Sequence, residues 1–473
     1  MWANLLYPTD SITRTDQRIT SNELKKFQFN YNHSQNMSPN LTADYSKSTI
    51  ARNRATYRQK TFATIPRWLE GKRQDDEAED LWRIYDNLYD LSGFITHHPG
   101  GRFWLEQTKG LDITEAFETH HIKGVPQALL DKYFVRKASK QRNYILTLHE
   151  NGFYRTLKRR VGEHLKDMDY SPRQRTHLFH CGLLITSLLI TLLSTYINNV
   201  MVEILAGLFI VWQAVAAHNY FHQRDNWQMY SFNLTLMNFA DWRISHALSH
   251  HIYTNSLYDL EMTLPEPYLC WIPNGNIATK TWRLISVFLQ PFVYALLFIG
   301  SFLQRALRSL ISQNELYWHD IIGFILPVLM WSCSSLCLID VLFKWSRIII
   351  VASFIFSFIS FNGSHHVPQN YHDGDILRAD LDWGLYQLST ITDRNDIKGH
   401  HFWTLTHFGD HILHHFFPTL DHGMLPQLYP IVKRTLEQFG KGELRDLSFV
   451  QHVIDQNKQL LRTEPNTRVH FES

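Results

Sequence analysis

Histidine is the residue type whose number and spacing first indicate chemistry in this chain. Twenty-seven of the 473 residues are histidine, and sixteen of these lie between His218 and His422. The stretch THFGDHILHHFFPTLDH, from Thr406 to His422, contains five of them. Imidazole is the commonest metal ligand among protein side chains, so clustering of this density indicates metal binding more directly than packing.

Four groups in the second half of the chain have spacings that bring imidazole rings together. Residues four apart lie about 40° apart around a helix, so both rings of such a pair face one site. The groups are HNYFH, HALSHH, NGSHH and HILHH, which contain His218, His222, His246, His250, His251, Asn362, His365, His366, His411, His414 and His415. His407 extends the last group into a stripe about 100° wide. So many imidazoles exceed what one ion can use, which indicates two metal ions.

An earlier pair of histidines is spaced for a different group. The sequence HHPGG occupies positions 97 to 101, and His121 follows His98 by 23 residues. A histidine on a glycine-terminated turn and another at a helix end can hold a flat ring from both faces. Two axial imidazoles leave haem iron no open position, which favours one-electron transfer over oxygen chemistry. Taken alone, HPGG is also compatible with an ordinary turn.

The haem-type spacing helps to choose the metal for the histidine groups. Without thiolates or many carboxylates, the donor atoms permit iron, zinc or copper. Redox-inert zinc has no use for electrons delivered by a haem, so iron is favoured. A zinc hydrolase would leave the earlier pair of histidines unexplained.

The earlier motif also carries a family resemblance. The stretch LYDLSGFITHHPGG, followed by Asp112, Thr114, Phe117 and His121, resembles cytochrome b5 domains, notably those fused to lipid desaturases. The resemblance covers about residues 68 to 136. It implies haem b with His98 and His121 as axial ligands. His97 and His120 are adjacent alternatives, but the family pattern places the ligand four residues after the Phe, which favours His121.

The later groups resemble the histidine boxes of integral-membrane fatty acid desaturases and related hydroxylases, over about residues 177 to 433. HNYFHQRDNW, WRISHALSHHIYTN and HILHHFFP match the three boxes, and Asn362 with His366 matches a further Asn-x-x-x-His element. The resemblance implies that Asn362 acts through a water and that the catalytic, direct iron ligands are His218, His222, His246, His250, His251, His366, His411, His414 and His415. His365 and His407 are alternative ligands, or groups that orient the ligands. Orienting carboxylates are expected among Asp225, Asp259, Glu261 and Asp410, with plain surface charge an equal alternative.

The two resemblances together imply an oxidoreductase: an oxygen-dependent lipid desaturase with two non-haem iron ions and O2 as co-substrate. The fused haem would receive electrons from NADH-cytochrome b5 reductase or a similar donor and pass them singly to the iron pair. A lipid hydroxylase on the same site is the alternative. An alternative of another class is a membrane-tethered haem electron-transfer protein with a non-catalytic desaturase domain. The third box begins with His411 where desaturases with a fused cytochrome b5 domain often carry Gln, so the resemblance does not imply front-end regioselectivity. Chain length, double-bond position and head group are not given by the sequence. The two-domain order resembles the insect cytochrome b5-related proteins.

The elements that must position these residues follow from composition. Residues 1–62 are polar and are expected to be disordered, with a short helix around SNELKKFQF. Residues 63–136 are expected to form a small α+β domain. Residues 137–176 are a basic linker, suited either to an anionic leaflet or to solvent. Residues 177–440 are expected to form an all-α membrane domain, followed by a C-terminal tail, 441–473. The net charge of +2 gives no reason to expect a nucleic-acid partner.

Hydropathy predicts about four transmembrane helices. Segments 178–197 and 200–217 are long enough to span, and three more apolar segments cover 282–303, 321–342 and 347–361. An even number must span if the histidine groups are to meet. We expect 282–303, interrupted by Gln290 and Pro291, to lie in the interface or to be buried without spanning, and the last two segments to form a hairpin. Basic residues before the first span place the haem domain and histidine boxes in the cytosol, in a multi-pass protein expected in the endoplasmic reticulum membrane.

Overall fold

The computed structural model describes residues 46–58, 63–275, 278–311 and 316–467. The short helix expected around SNELKKFQF and the disorder expected for residues 1–45 lie outside the described residues. Residues 46–58 differ from the expected disorder, because they are folded onto the second half of the chain. Ile50 and Ala51 are buried. The Ser48 hydroxyl and the Thr49 amide both donate to the carboxylate of Asp373, at 2.5 and 2.7 Å.

The N-terminal domain is the expected small α+β unit. A three-stranded antiparallel sheet has the order β1-β2-β3, with Trp82 opposite Tyr89 and Leu88 opposite Arg136. Its strands are β1 (Trp82–Ile84), β2 (Asn87–Tyr89) and β3 (Phe134–Lys137), and its helices are α1 (Ile65–Asp76), α2 (Arg102–Thr108), α3 (Thr114–His120) and α4 (Gln127–Asp131). The apolar faces of the strands and of α2 form a core around Trp82.

The basic linker contains a packed helix, α5 (Phe153–His164). Tyr154 and Leu157 on its apolar face are completely buried. On its basic face Arg155 and Lys158 both pair with Glu118 of α3, Lys158 at 2.5 Å. The charges expected to meet a leaflet or solvent therefore hold the N-terminal domain in place, because a buried carboxylate is available to neutralise them.

Long helices and shorter helical pieces make up the second domain. In chain order the helices are α6 (Ser171–Tyr196), α7 (Val200–His218), α8 (Phe239–Trp242), a π-helix (Arg243–His250), α9 (His251–Tyr253), α10 (Leu260–Thr263), α11 (Lys280–Ile311), α12 (Ile325–Ser332), α13 (Leu338–Phe361), α14 (Trp383–Thr390), α15 (His401–Thr406), α16 (His411–Phe416), α17 (Tyr429–Gln438) and α18 (Phe449–Leu461). Short 3-10 turns cover Thr56–Arg58, Ser92–His97, Gln228–Thr235, Trp318–Phe324 and His422–Leu428. Strands β4 (Asp393–Arg394) and β5 (Asp446–Leu447) pair in parallel.

Four helices in the described residues are long and apolar enough to cross a membrane, namely α6, α7, α11 and α13. The number agrees with the prediction, and α11, which covers the segment expected not to span, is the longest of the four. Helix α11 runs unbroken through Pro291 for 32 residues, because membrane helices tolerate an internal proline. The apolar stretch Trp318–Ser332, which consists of a 3-10 turn followed by α12, is shorter than these four helices.

The expected hairpin of the last two apolar segments was wrong. Residues 338 to 361 form one helix, since Lys344 and Arg347, which interrupt the apolar sequence, pair with Glu203 of α7 at 2.8 and 2.7 Å. Neutralised in this way, the two cations do not end the helix.

The C-terminal segment is part of the second domain rather than a loose tail over residues 446 to 461. Helix α18 packs against α11, where Gln290 donates to Gln456 at 2.9 Å. Arg283 of α11 donates to the carbonyl oxygen of Leu460 at 3.1 Å. Both contacts lie in a buried environment.

The two domains share a buried interface. The Trp68 indole of α1 donates to the carbonyl oxygen of Tyr258 at 2.9 Å. The Lys72 ammonium is enclosed by Tyr144 and Tyr253, with its charge balanced by Asp76 at 2.9 Å. This contact fixes the orientation of the N-terminal domain, so that α3 faces the histidine groups of the second domain.

Candidate functional site

His98 and His121 face each other across a crevice in the N-terminal domain. Their ring centroids are 6.1 Å apart. The Nδ1 of His98 donates to the carbonyl oxygen of Gly101 at 3.0 Å, and the Nδ1 of His121 donates to that of Phe117 at 2.9 Å. With both Nδ1 atoms protonated, each Nε2 keeps a free lone pair. Burial lowers the pKa of His121, which favours the neutral, ligating form.

The crevice has the size and lining of a cofactor site. Its cavity has a volume of about 800 Å³, and its walls carry Phe94, Ile113, Leu130 and Tyr133. A large, mostly apolar cavity with two opposed imidazoles fits a planar metal macrocycle held from both faces. The described residues therefore fit a haem at this position.

The adjacent histidines that made the assignment ambiguous point elsewhere. His97 is exposed, and its Nδ1 contacts the Thr96 hydroxyl at 3.1 Å. His120 is half-buried, and its ring lies 6.2 Å from that of His222 in the second domain. The geometry thus separates His98 and His121, which share the crevice, from their neighbours.

The structure gathers nine histidines of the second domain into two adjoining groups, each with its nitrogens within 4.8 Å of one another. The first group, which we name cluster A, consists of His218, His222, His246, His251 and His414. Cluster B consists of His250, His365, His411 and His415. The rings of His251 and His415 stack at 4.0 Å where the clusters meet, so two ions bound there would be close neighbours.

Local backbone geometry explains how each histidine box reaches the clusters. The second box lies on the π-helix, whose wider turn brings His246 near His251 while His250 reaches cluster B. π-Turns occur frequently at functional sites. The third box forms α16, whose first amides, those of His411 and Ile412, donate to the Asp393 carboxylate at 2.8 and 3.0 Å. His218 ends α7, which places the clusters at the end of a candidate span.

Three side chains orient cluster histidines through the outer ring nitrogen. Glu261 accepts from Nδ1 of His246 at 2.7 Å, and Asp259 accepts from Nδ1 of His250 at 2.9 Å. The Gln387 amide oxygen lies 3.1 Å from Nδ1 of His415. Such partners fix the tautomer and raise the basicity of a ligating imidazole.

The inner nitrogens of the clusters fit metal binding. Nε2 of His218 lies 2.6 Å from Nε2 of His246, and Nε2 of His365 lies 2.7 Å from Nε2 of His411. With Nδ1 of His246 committed to Glu261, its Nε2 carries a lone pair aimed at other nitrogens. Lone pairs converging at this distance require a shared cation or proton, and an all-imidazole donor set suits iron, zinc or copper.

The pKa values of His246 and His250, both on the π-helix, shift in opposite directions. Burial alone would lower the pKa of His250, but the carboxylates of Asp259 and Glu261 outweigh it and raise that pKa to about 9. Burial lowers the pKa of His246 despite the same Glu261. Each carboxylate at this edge would also offset part of the charge of a bound ion.

Placement agrees with the sequence-based set for eight of the nine ligands and differs for His366. His366 stacks on Trp271 at 4.1 Å with an 8° tilt, whereas the alternative, His365, lies in cluster B. Asn362 donates to the carbonyl oxygen of Phe358 at 2.8 Å, as part of the end of α13. The turn after α13 thus places His365 in cluster B and His366 against Trp271, while the Oδ1 of Asn362 is buried without a hydrogen-bond partner among the described residues.

His407 and the four acidic candidates differ in whether they contact the clusters. His407 contacts Trp403, with ring centroids 5.2 Å apart, and is in neither cluster. Asp225 pairs with Arg243 at 2.6 Å, and Asp410 accepts from the Tyr429 hydroxyl at 2.7 Å. Of the four acidic candidates, Asp259 and Glu261 contact cluster histidines.

Sequence reasoning missed several residues near the clusters. Gln387 lies on the wholly buried helix α14, and a glutamine in such an apolar stretch was a usable signal. Asp393 caps the third box from a distant strand, which no local pattern indicates. The ring of His422 lies 4.5 Å from that of His414, and its Nδ1 contacts Asn219 at 2.8 Å.

Comparisons with known proteins follow the division into two domains. The family model for fatty acid desaturase matches residues 194–444. The model for the cytochrome b5-like heme/steroid binding domain matches residues 68–139. No solved structure matches the chain.

Relatives cover the chain at two levels of similarity. The chain is 49% identical to the cytochrome b5-related protein of Drosophila melanogaster over 90% of this chain and 98% of that protein. It is 54% identical to the cytochrome b5-related protein of Drosophila virilis over 28% of this chain and 92% of that protein. It is 24% identical to the acyl-lipid (8-3)-desaturase of Mortierella alpina over 80% of this chain and 92% of that protein.

Proposed function

Because the chain belongs to the fatty acid desaturase family and carries a cytochrome b5 domain in front, we propose that it is an oxygen-dependent lipid acyl desaturase. The observation that carries the proposal is the convergence of nine histidines in two adjoining clusters next to a crevice with two opposed imidazoles. A redox metal pair needs a source of single electrons, and the crevice fits the group that delivers them.

The proposed cofactors are haem b, held by His98 and His121, and two iron ions, held by clusters A and B. The proposed iron ligands are the nine histidines predicted from the sequence, with His365 in place of His366. Such an iron pair, supplied with electrons and O2, provides the oxidising power needed to remove hydrogen from an unactivated methylene. Removal of two hydrogens from adjacent carbons would give a double bond, and two electrons delivered through the haem together with two protons would complete the reduction of O2 to two waters.

The chain's own residues would position and enclose this chemistry. Glu261, Asp259 and Gln387 hold three ligand rings in one tautomer and orientation. Phe221 and Phe408 are buried against His218, with ring centroids 5.9 and 5.1 Å away. This apolar packing would keep bulk water away from metal ions bound in the clusters.

The substrate would come from the membrane. Cluster A begins at His218, the last residue of a candidate span, so an acyl chain can approach along the helices without leaving an apolar environment. The rest of the proposal is an endoplasmic reticulum location with the haem domain and clusters in the cytosol, and reduction by NADH-cytochrome b5 reductase or a similar donor. Arg173 and Arg175, in the first turns of α6, support this orientation.

Two measurements test the proposal. Total iron is first compared with haem in protein purified from iron-supplied cells, where about three irons per haem are expected. Lipids from cells expressing the chain are then analysed for new double bonds. His411→Ala should abolish them, while His407→Ala, matched in residue type but outside both clusters, should retain them.

Other outcomes would identify the alternatives. New hydroxyl groups without double bonds would show a hydroxylase on the same site. About one iron per haem, with no other metal in the clusters, would contradict the proposal and leave a membrane-tethered haem electron carrier. The name of the Drosophila melanogaster relative, which mentions only the cytochrome b5 part, is compatible with that outcome.

A further inference from the structure

The haem crevice does not end at the edge of the N-terminal domain. The cavity that contains His98 and His121 continues to His222 of cluster A and is lined on the way by His120. The second domain therefore closes one side of the crevice. One cavity therefore borders both the haem crevice and cluster A.

His120 and His121 are adjacent in sequence, but their rings face different sites. His121 turns its ring toward His98, 6.1 Å away. His120, the last residue of α3, packs against Trp104 at 5.6 Å and lies 6.2 Å from His222. One peptide bond thus separates a residue of the haem crevice from a residue that contacts cluster A.

Hydrogen bonding fixes the orientation of His120. Its Nδ1 donates to the carbonyl oxygen of Ala116 at 3.0 Å. Nε2 is consequently a lone-pair acceptor, and it is enclosed without a hydrogen-bond partner among the described residues. Neither ring nitrogen of His222 has such a partner.

The contact is held in place from both domains. The Arg243 guanidinium, on the π-helix, lies 4.8 Å from the Trp104 ring on which His120 packs. The same guanidinium donates to the carbonyl oxygens of Phe221 and Gln223, both at 3.0 Å. Phe221 directly precedes His222. Arg243 therefore contacts a neighbour of the His120 ring and a neighbour of the His222 ring.

We propose that His120 is the bridging residue that carries electronic coupling from the haem to cluster A. The inference rests on the proposed function, and it names the route by which the electron travels. The path runs from His121 through one peptide bond to His120 and across the ring contact to His222. Covalent bonds and packed atoms transmit an electron far better than an open gap, and placing them is the protein's part of cofactor chemistry.

The step is balanced as a simple transfer. One electron leaves a ferrous haem, which becomes ferric, and reduces one ferric ion of the clusters to ferrous. No covalent bond forms or breaks, and His120 is neither oxidised nor reduced. Its contribution is to fill the gap between the sites with a correctly oriented ring.

The experiment uses the full-length holoprotein in lipid nanodiscs, without O2. The haem is reduced by a light-driven flavin donor, and its reoxidation by the oxidised clusters is followed by haem absorbance. His120→Ala should slow this transfer by about tenfold or more, as expected when a positioned contact is lost, with the haem spectrum and midpoint potential unchanged. His120→Phe, which refills the gap, should restore most of the rate.

His97→Ala is the matched control, because His97 is likewise next to a haem-crevice histidine but is exposed. It should transfer at the wild-type rate. Wild-type transfer in His120→Ala would overturn the inference. So would a changed haem spectrum in that variant, because His120 would then act at the haem itself.

The test separates this inference from the proposed function. Wild-type haem reoxidation by His120→Ala, together with new double bonds in the lipids, would overturn the bridge and leave the desaturase proposal intact. Fast transfer that depends on His120 in a protein that forms no double bonds would support the bridge and contradict desaturation. Clusters without iron would overturn both.

Discussion

His365 and His411 bring their Nε2 atoms to 2.7 Å, whereas the residue after His365 stacks on Trp271 outside the clusters. We therefore expect His365→Ala to lose one iron, so that the iron-to-haem ratio falls from about three to about two. His366→Ala should keep the full ratio and lose only a stacked aromatic contact, about 0.5–1.5 kcal/mol. Elemental analysis of both variants decides, and the reverse result would restore His366 as the ligand.

Glu261 should tune the affinity of cluster A for metal. Its carboxylate accepts from Nδ1 of His246 at 2.7 Å, and loss of such a partner costs about 10- to 100-fold in metal affinity. Glu261→Gln, which removes only the charge, should fall near the lower end of that range. Affinity is measured as iron retained against increasing chelator.

Asp225→Asn provides the comparison for Glu261. The sequence made both acids equal candidates, but Asp225 pairs with Arg243. Its neutralisation should leave iron retention unchanged. An equal loss in both variants would show that net charge near the site, rather than the contact with His246, sets the affinity.

His121→Ala should open the haem to external ligands. A haem with two axial imidazoles has no free position, so the reduced wild-type protein should not bind carbon monoxide. Removal of His121 leaves an open face, and a carbon monoxide difference spectrum should appear. The same spectrum in His120→Ala would assign the axial role to the other histidine of the pair.

Lys72 should control the docking of the N-terminal domain. Its ammonium is buried with Asp76, and Tyr253 accepts from it at 2.9 Å. Removing one partner of a buried ion pair typically costs about 3–5 kcal/mol. Lys72→Met should lower the local opening free energy of α1, measured by amide hydrogen exchange, by about that amount.

Lys109→Met is the matched control for Lys72, because Lys109 is exposed on the same domain. Its effect on exchange in α1 should be negligible. Unchanged protection in Lys72→Met would show that the remaining interface holds the domain without this ion pair.

Gly101 should be intolerant of a side chain. Its φ is +102°, and a Cβ there would lie 2.5 Å from the Asp225 carboxylate of the second domain. Alanine at positive φ costs more than about 1 kcal/mol, to which the clash adds. Gly101→Ala should lower the temperature at which haem absorbance is lost, whereas Gly93→Ala, with nothing within 4 Å of its Cβ, should not.

The sequence alone determined the parts of this protein that depend on spacing along one element. The pair His98 and His121 sits on a short turn and at the end of one helix, so a local motif specified it. His246, His250 and His251 lie within six consecutive residues, so their sequence spacing alone brought them close to one site, although the π-helix decided which cluster each one joins. The number of candidate spans followed from length and hydropathy.

Only the tertiary structure decided between neighbouring residues and between similar segments. His365 and His366 are chemically identical and equally buried, and packing on Trp271 keeps His366 out of the clusters. Residues 338–361 form one helix because Glu203, more than a hundred positions earlier, neutralises two cations. His120 acquires its contact with His222 only when the domains dock. The physical reason is the same in each case: local pattern fixes which residues share a face, but packing against distant residues fixes what that face meets.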